Sequence, residues 1–252
     1  MTRLSYTLDT QNSPQIGLIV LQADLRLERD FRTLLPSQVN CMVSRVPSSA
    51  EVSPDSLQAI GPHLTAAAAL LPHGAGYDAV AYGCTSGAAQ LGPAGVARRV
   101  RAGCPTAAIS DPLTALIDAC QHMGLRRLAL LSPYVAPVSE RLRTCLSDAG
   151  IETPVFASFE EPSEARVAAI SQASIKAGVL QMMAIASAPV DGVFLSCTNL
   201  ATLDIVAPLE AALGLPVMSS NLVLAWHMLR LAGQETQGLH PAQLFAKDSP
   251  AR

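Results

Sequence analysis

The chain is poor in lysine, in aromatic residues and in charge of either sign. Lys176 and Lys247 are the only lysines among 17 basic residues, aromatics make up 4% and charged residues 15%. A formal charge of −3 and a pI near 5.9 exclude an extended nucleic-acid-binding face. The densest basic groups, Arg98-Arg99 with Arg101 and the pair Arg126-Arg127, are too short to line a groove. Long apolar runs are also missing. The stretch 64–71 stops at Pro72, well short of the roughly 18 residues a membrane span needs, so no membrane partner is expected. The opening MTRLSYTLDTQNSPQ lacks the apolar region of a secretory leader, which makes the cytoplasm the expected compartment. The cysteines, at 41, 84, 104, 120, 145 and 197, form no Cys-x-x-Cys pair and no His/Cys cluster with zinc-ligand spacing. Free thiols are therefore expected, with no metal and no cofactor.

What is present is apolar and periodic. Half of the 252 residues are hydrophobic, enough for a substantial core and incompatible with disorder. Short β-branched runs alternate with longer helical patterns. Strands are expected at Gln15–Leu21, Asn40–Val46, 78–83, 105–110, Arg127–Ser132, 153–159, 192–196 and 216–219. The clearest helices fall at 54–71, Pro112–Met123, 136–149, 163–186 and 221–232, with Pro54 and Pro112 suited to a first turn and Gly124 and Gly150 to helix ends. Continuous apolar strands separated by helices imply parallel sheets buried on both faces, an α/β fold.

The chain also repeats itself. Residues 16–21 (IGLIVL) have a counterpart at 128–133 (LALLSP), Asp78-Ala-Val-Ala-Tyr-Gly-Cys84-Thr85 matches Asp191-Gly-Val-Phe-Leu-Ser-Cys197-Thr198, and Gly103-Cys-Pro matches Gly214-Leu-Pro. The three landmarks recur in order at offsets of 112, 113 and 111 residues. Two pseudo-symmetric βα halves follow, each with a mostly parallel four-stranded sheet. The expected division is 1–112 and 113–220, with 221–252 packing back on the first half and the active site in the cleft between.

The repeat places Cys84 and Cys197 at equivalent positions just past a third strand. Ligands of open parallel sheets bind beyond these carboxyl ends. Two thiols approaching one point from opposite sides suit a reaction in which one group removes a proton and the other returns one, or in which a nucleophile works beside an acid. A thiol with a pKa near 8.5, lowered at a helix start, suits such work, and general acid–base help is worth about 10²–10⁴ in rate. Thr85 and Ser86 after the first cysteine, and Thr198 and Asn199 after the second, add hydroxyl, amide and backbone donors fit to cradle a carboxylate or enediolate oxygen.

With these motifs in place the chain resembles, over nearly its whole length, the aspartate/glutamate racemase superfamily. It looks closest to the branch of maleate cis-trans isomerases, arylmalonate decarboxylases and the ectoine-utilization protein EutA. The resemblance implies a two-domain α/β fold and cofactor-independent chemistry next to a carboxylate. It puts Cys84 and Cys197 at the two family cysteines and Thr85 and Ser86 at carboxylate-binding positions. Tyr134, in Ser132-Pro133-Tyr134, falls where a substrate-binding tyrosine of this branch stands. Ser196-Cys197 followed by Thr202-Leu203-Asp204 is similar to the branch's second-cysteine segment.

Departures narrow the reading. No histidine follows the second cysteine, which weighs against a classical amino-acid racemase. After the first strand stands Leu21-Gln22-Ala23-Asp24, where maleate isomerases have an asparagine that holds a carboxylate. Gln22 and Asp24 are expected at the substrate. An ionised Asp24 repels a carboxylate at close range and suits an ammonium or amide nitrogen, and it equally suits an N-cap of the first helix.

The expected activity is that of an isomerase or racemase using both thiols on a small, nitrogen-bearing carboxylic acid. The alternatives are an arylmalonate-type decarboxylase with Cys197 as proton donor, or a non-catalytic binding protein of an ectoine-type catabolic pathway. The expected partners are a small carboxylate and further copies of the chain, as a dimer or tetramer.

Overall fold

The computed structural model describes residues 3–8, 13–74, 76–106 and 108–246. The first half runs β1 (Gln15–Leu21), α1 (Leu27–Leu34), β2 (Asn40–Val46), α2 (Pro54–Ala69), β3 (Ala79–Gly83), α3 (Thr85–Leu91), α4 (Pro93–Gly103), β4 (Ala108–Ser110) and α5 (Pro112–Met123). The second runs β5 (Arg127–Ser132), α6 (Ala136–Asp148), β6 (Glu152–Ser158), α7 (Glu164–Ala169), α8 (Gln172–Ala184), β7 (Gly192–Leu195), a 3-10 turn (Leu203–Ile205), α9 (Val206–Leu213), β8 (Val217–Ser219), α10 (Ser220–Leu231) and α11 (Gln243–Ala246).

The two sheets have the same order, β2-β1-β3-β4 and β6-β5-β7-β8, and every pairing is parallel. This is the α/β architecture expected from the apolar runs. The central strands β1, β3, β5 and β7 are buried almost end to end because helices cover both faces. The edge strands β2 and β6 alternate in burial instead.

Local chemistry sets the helix starts. Ser53 and Ser56 cap each other's amides ahead of Pro54, and Asp111 Oδ1 accepts from Leu113 N (2.9 Å) and Thr114 N (3.0 Å) ahead of Pro112. The single helix expected at 163–186 is two. Ile170 is extended, and Ser171 Oγ accepts Ser174 N at 3.1 Å to begin α8. The break leaves α7 six residues long.

Helix α10 and a loop clasp join the halves. Helix α10 lies against β3, β4 and α5 of the first half. Helix α11 hydrogen-bonds to the second half through Gln243 N on Glu210 Oε2 (3.0 Å), and residues 247–252 of the expected tail segment lie outside the described residues. Above the strand ends, the loops after β2 and β6 clasp each other through Val52 N on Pro162 O (2.7 Å) and Glu164 N on Ala50 O (2.9 Å). No helix among the described residues is long and apolar enough to cross a membrane.

Candidate active site

Both cysteines lie at the carboxyl ends of the third strands, Cys84 directly after β3 and Cys197 two residues after β7. They are 4% and 6% exposed. Each sulfur accepts a backbone amide from its own turn: Gly87 N reaches Cys84 Sγ at 3.2 Å and Asn199 N reaches Cys197 Sγ at 3.4 Å. Position 87 must be glycine, since a Cβ there would stand 2.3 Å from Tyr82 Oη and 3.0 Å from Cys84 Sγ. Cys197 has a backbone φ of 110°, a conformation side chains rarely adopt.

One hydroxyl ties the two turns together. Ser220 Oγ, at the start of α10, accepts from Thr85 Oγ1 at 2.8 Å and from Cys197 N at 3.0 Å. Thr198 Oγ1 reaches back across the cleft to Gly83 O at 3.4 Å. Ser86 Oγ lies 3.6 Å from Cys84 Sγ. Tyr134 is buried with its hydroxyl beside Cys197. It accepts from Ser196 Oγ at 3.5 Å, lowers the pKa of Cys197, and feels the charge of both cysteines. Tyr82 stands beside Cys84 in the same manner.

Burial, however, outweighs the helix-start effect expected for these thiols. The Cys84 pKa is pushed up to about 11, first by desolvation and then by the charge of Glu164, while Ser86, Gly87 and Tyr82 offset only part. Cys197 is raised well above its ordinary value by desolvation and Glu164, with Asn199 N and Tyr134 opposing. Both groups rest as neutral thiols near pH 7, and the amides counted on for the substrate serve the sulfurs.

The other expected residues divide. Asp24 is 2% exposed; its Oδ1 accepts Arg26 N and Leu27 N, both at 2.8 Å, as an N-terminal cap of α1, while Oδ2 is buried without a hydrogen bond. Asn199 is at the site, but its amide is committed. Its Oδ1 takes Leu25 N at 2.9 Å and its Nδ2 donates to Glu164 Oε2 at 2.9 Å. Gln22 is exposed and pairs its backbone with Val46 O, away from the sulfurs.

Tyr82, Glu164 and Ser220 were not anticipated. Tyr82 lies two residues before Cys84 inside an apolar strand. Ser220 belongs to the polar Ser219-Ser220 pair that ends the last apolar strand, a signal that could have marked it. Glu164 is brought in only by the clasp and the early end of α7.

The profile of the arylmalonate decarboxylase family matches residues 16–245. The chain is 34% identical to arylmalonate decarboxylase from Bordetella bronchiseptica over 139 residues, 55% of this chain and 56% of that protein. It is 30% identical to maleate isomerase from Pseudomonas putida over 117 residues, 46% of each. The matched stretch thus spans about half the length of these curated relatives. Among solved structures, a liganded double variant of arylmalonate decarboxylase superposes with a TM-score of 0.82 at 26% identity, covering 93% of this chain and 100% of that one. Nocardia farcinica maleate cis-trans isomerase with a covalently bound succinylcysteine intermediate gives 0.82 at 20% identity over 94% and 99%, a likeness of fold.

Proposed function

The chain belongs to the arylmalonate decarboxylase family, and from that membership we propose a cofactor-independent isomerase or racemase acting next to the carboxylate of a small carboxylic acid, with Cys84 and Cys197 as the reacting groups. The observation that carries this reading is the bridge through Ser220, which fixes the turns of both cysteines to one hydroxyl, with the Tyr134 hydroxyl under the influence of both sulfurs.

In racemisation, one sulfur in its thiolate form takes the proton from the carbon beside the carboxylate. The other thiol then gives a proton to the opposite face. In cis-trans isomerisation, the Cys84 thiolate adds to the double bond while Cys197 protonates the neighbouring carbon. Rotation about the new single bond and reversal of both steps release the isomer. Either route needs one thiol ionised when substrate is bound, so the tyrosine hydroxyls and turn amides beside each sulfur act by holding that charge.

A second reading is supported by the protonated resting thiols. An arylmalonate-type decarboxylase needs a neutral thiol, here Cys197, to protonate the carbanion left after CO₂ departs. Separate Cys84→Ser and Cys197→Ser variants, assayed for solvent-deuterium incorporation by NMR and for CO₂ release over a panel of small carboxylates, tell the two apart. Loss of turnover in both variants supports the isomerase or racemase. CO₂ release abolished only by Cys197→Ser supports the decarboxylase, and turnover surviving both changes refutes either.

A further inference from the structure

Two buried carboxyls, Asp24 and Glu164, lie near enough to Cys197 for their charge to act on it. Asp24 comes from the turn after β1 and Glu164 from the first residue of α7, so they belong to different halves, yet they meet at one place. Asn199 touches both sides of it, through Glu164 Oε2 and through Leu25 N beside Asp24, each at 2.9 Å. The charge of Asp24 acts on Glu164, and both act on Cys197. Among the described residues neither carboxyl takes part in a salt bridge. Arg45 donates to the Asp24 backbone carbonyl at 3.0 Å and is paired with Glu28; its charge opposes only part of the burial that raises the Asp24 pKa. The Oδ2 of Asp24 is buried and makes no well-aligned hydrogen bond, with only the Thr198 side chain beside it, and this is the independent sign of room for a donor, because a buried acceptor left short of partners is costly and uncommon.

We propose that Asp24 and Glu164 together receive a positively charged nitrogen of the substrate, so that the protein acts on a small amino-bearing carboxylic acid in preference to a dicarboxylate. This rests on the reading of Cys84 and Cys197 as the reacting groups. A cation between the two acids answers this Oδ2 and the charge that Asp24 and Glu164 impose on one another. It also lowers the cost of ionising the neighbouring sulfur, since the same two acids are among the groups that raise the Cys197 pKa. A second carboxylate in that position finds the Asn199 side chain already committed on both sides and is accepted only if both acids are protonated and donate, the form that their burial favours without a cation between them.

The test compares the parent with Asp24→Asn and Glu164→Gln. The probes are 2-amino and 3-amino acids of three to five carbons set against maleate and phenylmalonate. Deuterium incorporation and CO₂ release give kcat/KM, and calorimetry gives binding. Both substitutions keep the oxygen that takes the structural hydrogen bonds, so unfolding midpoints are expected to stay within a few degrees. The parent is expected to favour the amino acids, and the ratio of amino-acid to dicarboxylate kcat/KM to fall about 10–100-fold in each variant, the size of one charge-assisted hydrogen bond. A merely structural role for either acid would lower both activities and leave that ratio in place, which overturns the proposal. Cysteine-dependent turnover of dicarboxylates in preference to amino acids overturns it too, while the cysteine reading stands. Amino acids and dicarboxylates that neither bind nor turn over defeat both together.

Discussion

Cys197 and Cys84 occupy equivalent turns but not equivalent backbone conformations, and the difference has a measurable cost. At Cys84 φ is −151°, ordinary extended backbone, whereas Cys197 sits at 110°. Holding a side chain in such a region costs on the order of 1–3 kcal/mol, all of it due to Cβ. Replacing cysteine by alanine keeps Cβ and removes the sulfur; replacing it by glycine removes both. At an unstrained buried site the further step from alanine to glycine costs about 0.5–1 kcal/mol in backbone entropy and about 0.8 kcal/mol in lost burial, roughly 1.5 kcal/mol in all. That full cost is expected at position 84. At position 197 the relief of strain cancels or exceeds it, so the glycine variant is expected to match or surpass the alanine variant. With an unfolding entropy of about 0.5 kcal/mol per degree for a chain of this size, the gap at position 84 is about 3 °C and should vanish or change sign at 197. Four variants, Cys84→Ala, Cys84→Gly, Cys197→Ala and Cys197→Gly, measured by calorimetric melting in one buffer, decide the matter. All four lack a reacting sulfur, so the comparison is free of catalytic effects. Equal alanine-to-glycine losses at both positions would refute the strain at Cys197.

Two further outcomes follow from the network. Ser220→Ala strands the Thr85 hydroxyl and the Cys197 amide in a buried place, which costs about 1–3 kcal/mol per group. The melting point is expected to fall by several degrees and turnover at least tenfold, and a variant unchanged in both would show that the two turns are held by something else. Asp30, buried and hydrogen-bonded by Asn221 Nδ2 at 2.7 Å, has its pKa raised by burial from 3.8 to about 6, with Asn221 and Arg29 opposing and Asp204 and Asp24 adding. The folded state therefore binds the extra proton. The benefit is complete below about pH 4, declines as pH rises through 4 to 6, and leaves a penalty of up to about 3 kcal/mol above that. Asp30→Asn is expected to raise the melting point at pH 7.5 by several degrees and to leave it nearly unchanged at pH 4. An equal gain at both would exclude Asp30 as the source.

The parts of this fold legible in the sequence are those that depend on pattern. The apolar strands and the 111–113-residue repeat state the two sheets and bring Cys84 and Cys197 to matching strand ends, because burial on both faces leaves a period that needs no tertiary knowledge. Even so, one landmark of the repeat conceals two mechanisms. Gly214 is required by its φ of 67° at the end of α9, whereas Gly103 is required because a Cβ would stand 2.1 Å from Thr65 O. The break between α7 and α8 was not legible. Residues 163–186 are mostly helical in composition, and the interruption is made by one extended residue, Ile170, followed by the Ser171 cap.

The site was legible as a set of side chains and illegible as a set of charges, and the reason is the same for each residue misjudged. Cysteine at a helix start reads as an activated thiolate when its neighbours in sequence are considered alone. The burial that reverses this at Cys84 and Cys197 is set by the folded structure and not by the neighbours in sequence. Asn199 reads as a free donor until the loop carrying Leu25 and the clasp carrying Glu164 close on it from two directions. Gln22 shares a turn with Asp24, yet Asp24 caps α1 and points inward, so its neighbour two residues earlier is turned to solvent. A pseudo-symmetric cleft therefore announces its reacting atoms through the repeat, while the ionisation of those atoms is set by residues that have no counterpart in the other half. Glu164 is the clearest of these. It perturbs both sulfurs, and it does so only because a short helix ends early and a clasp draws its first residue over the cleft.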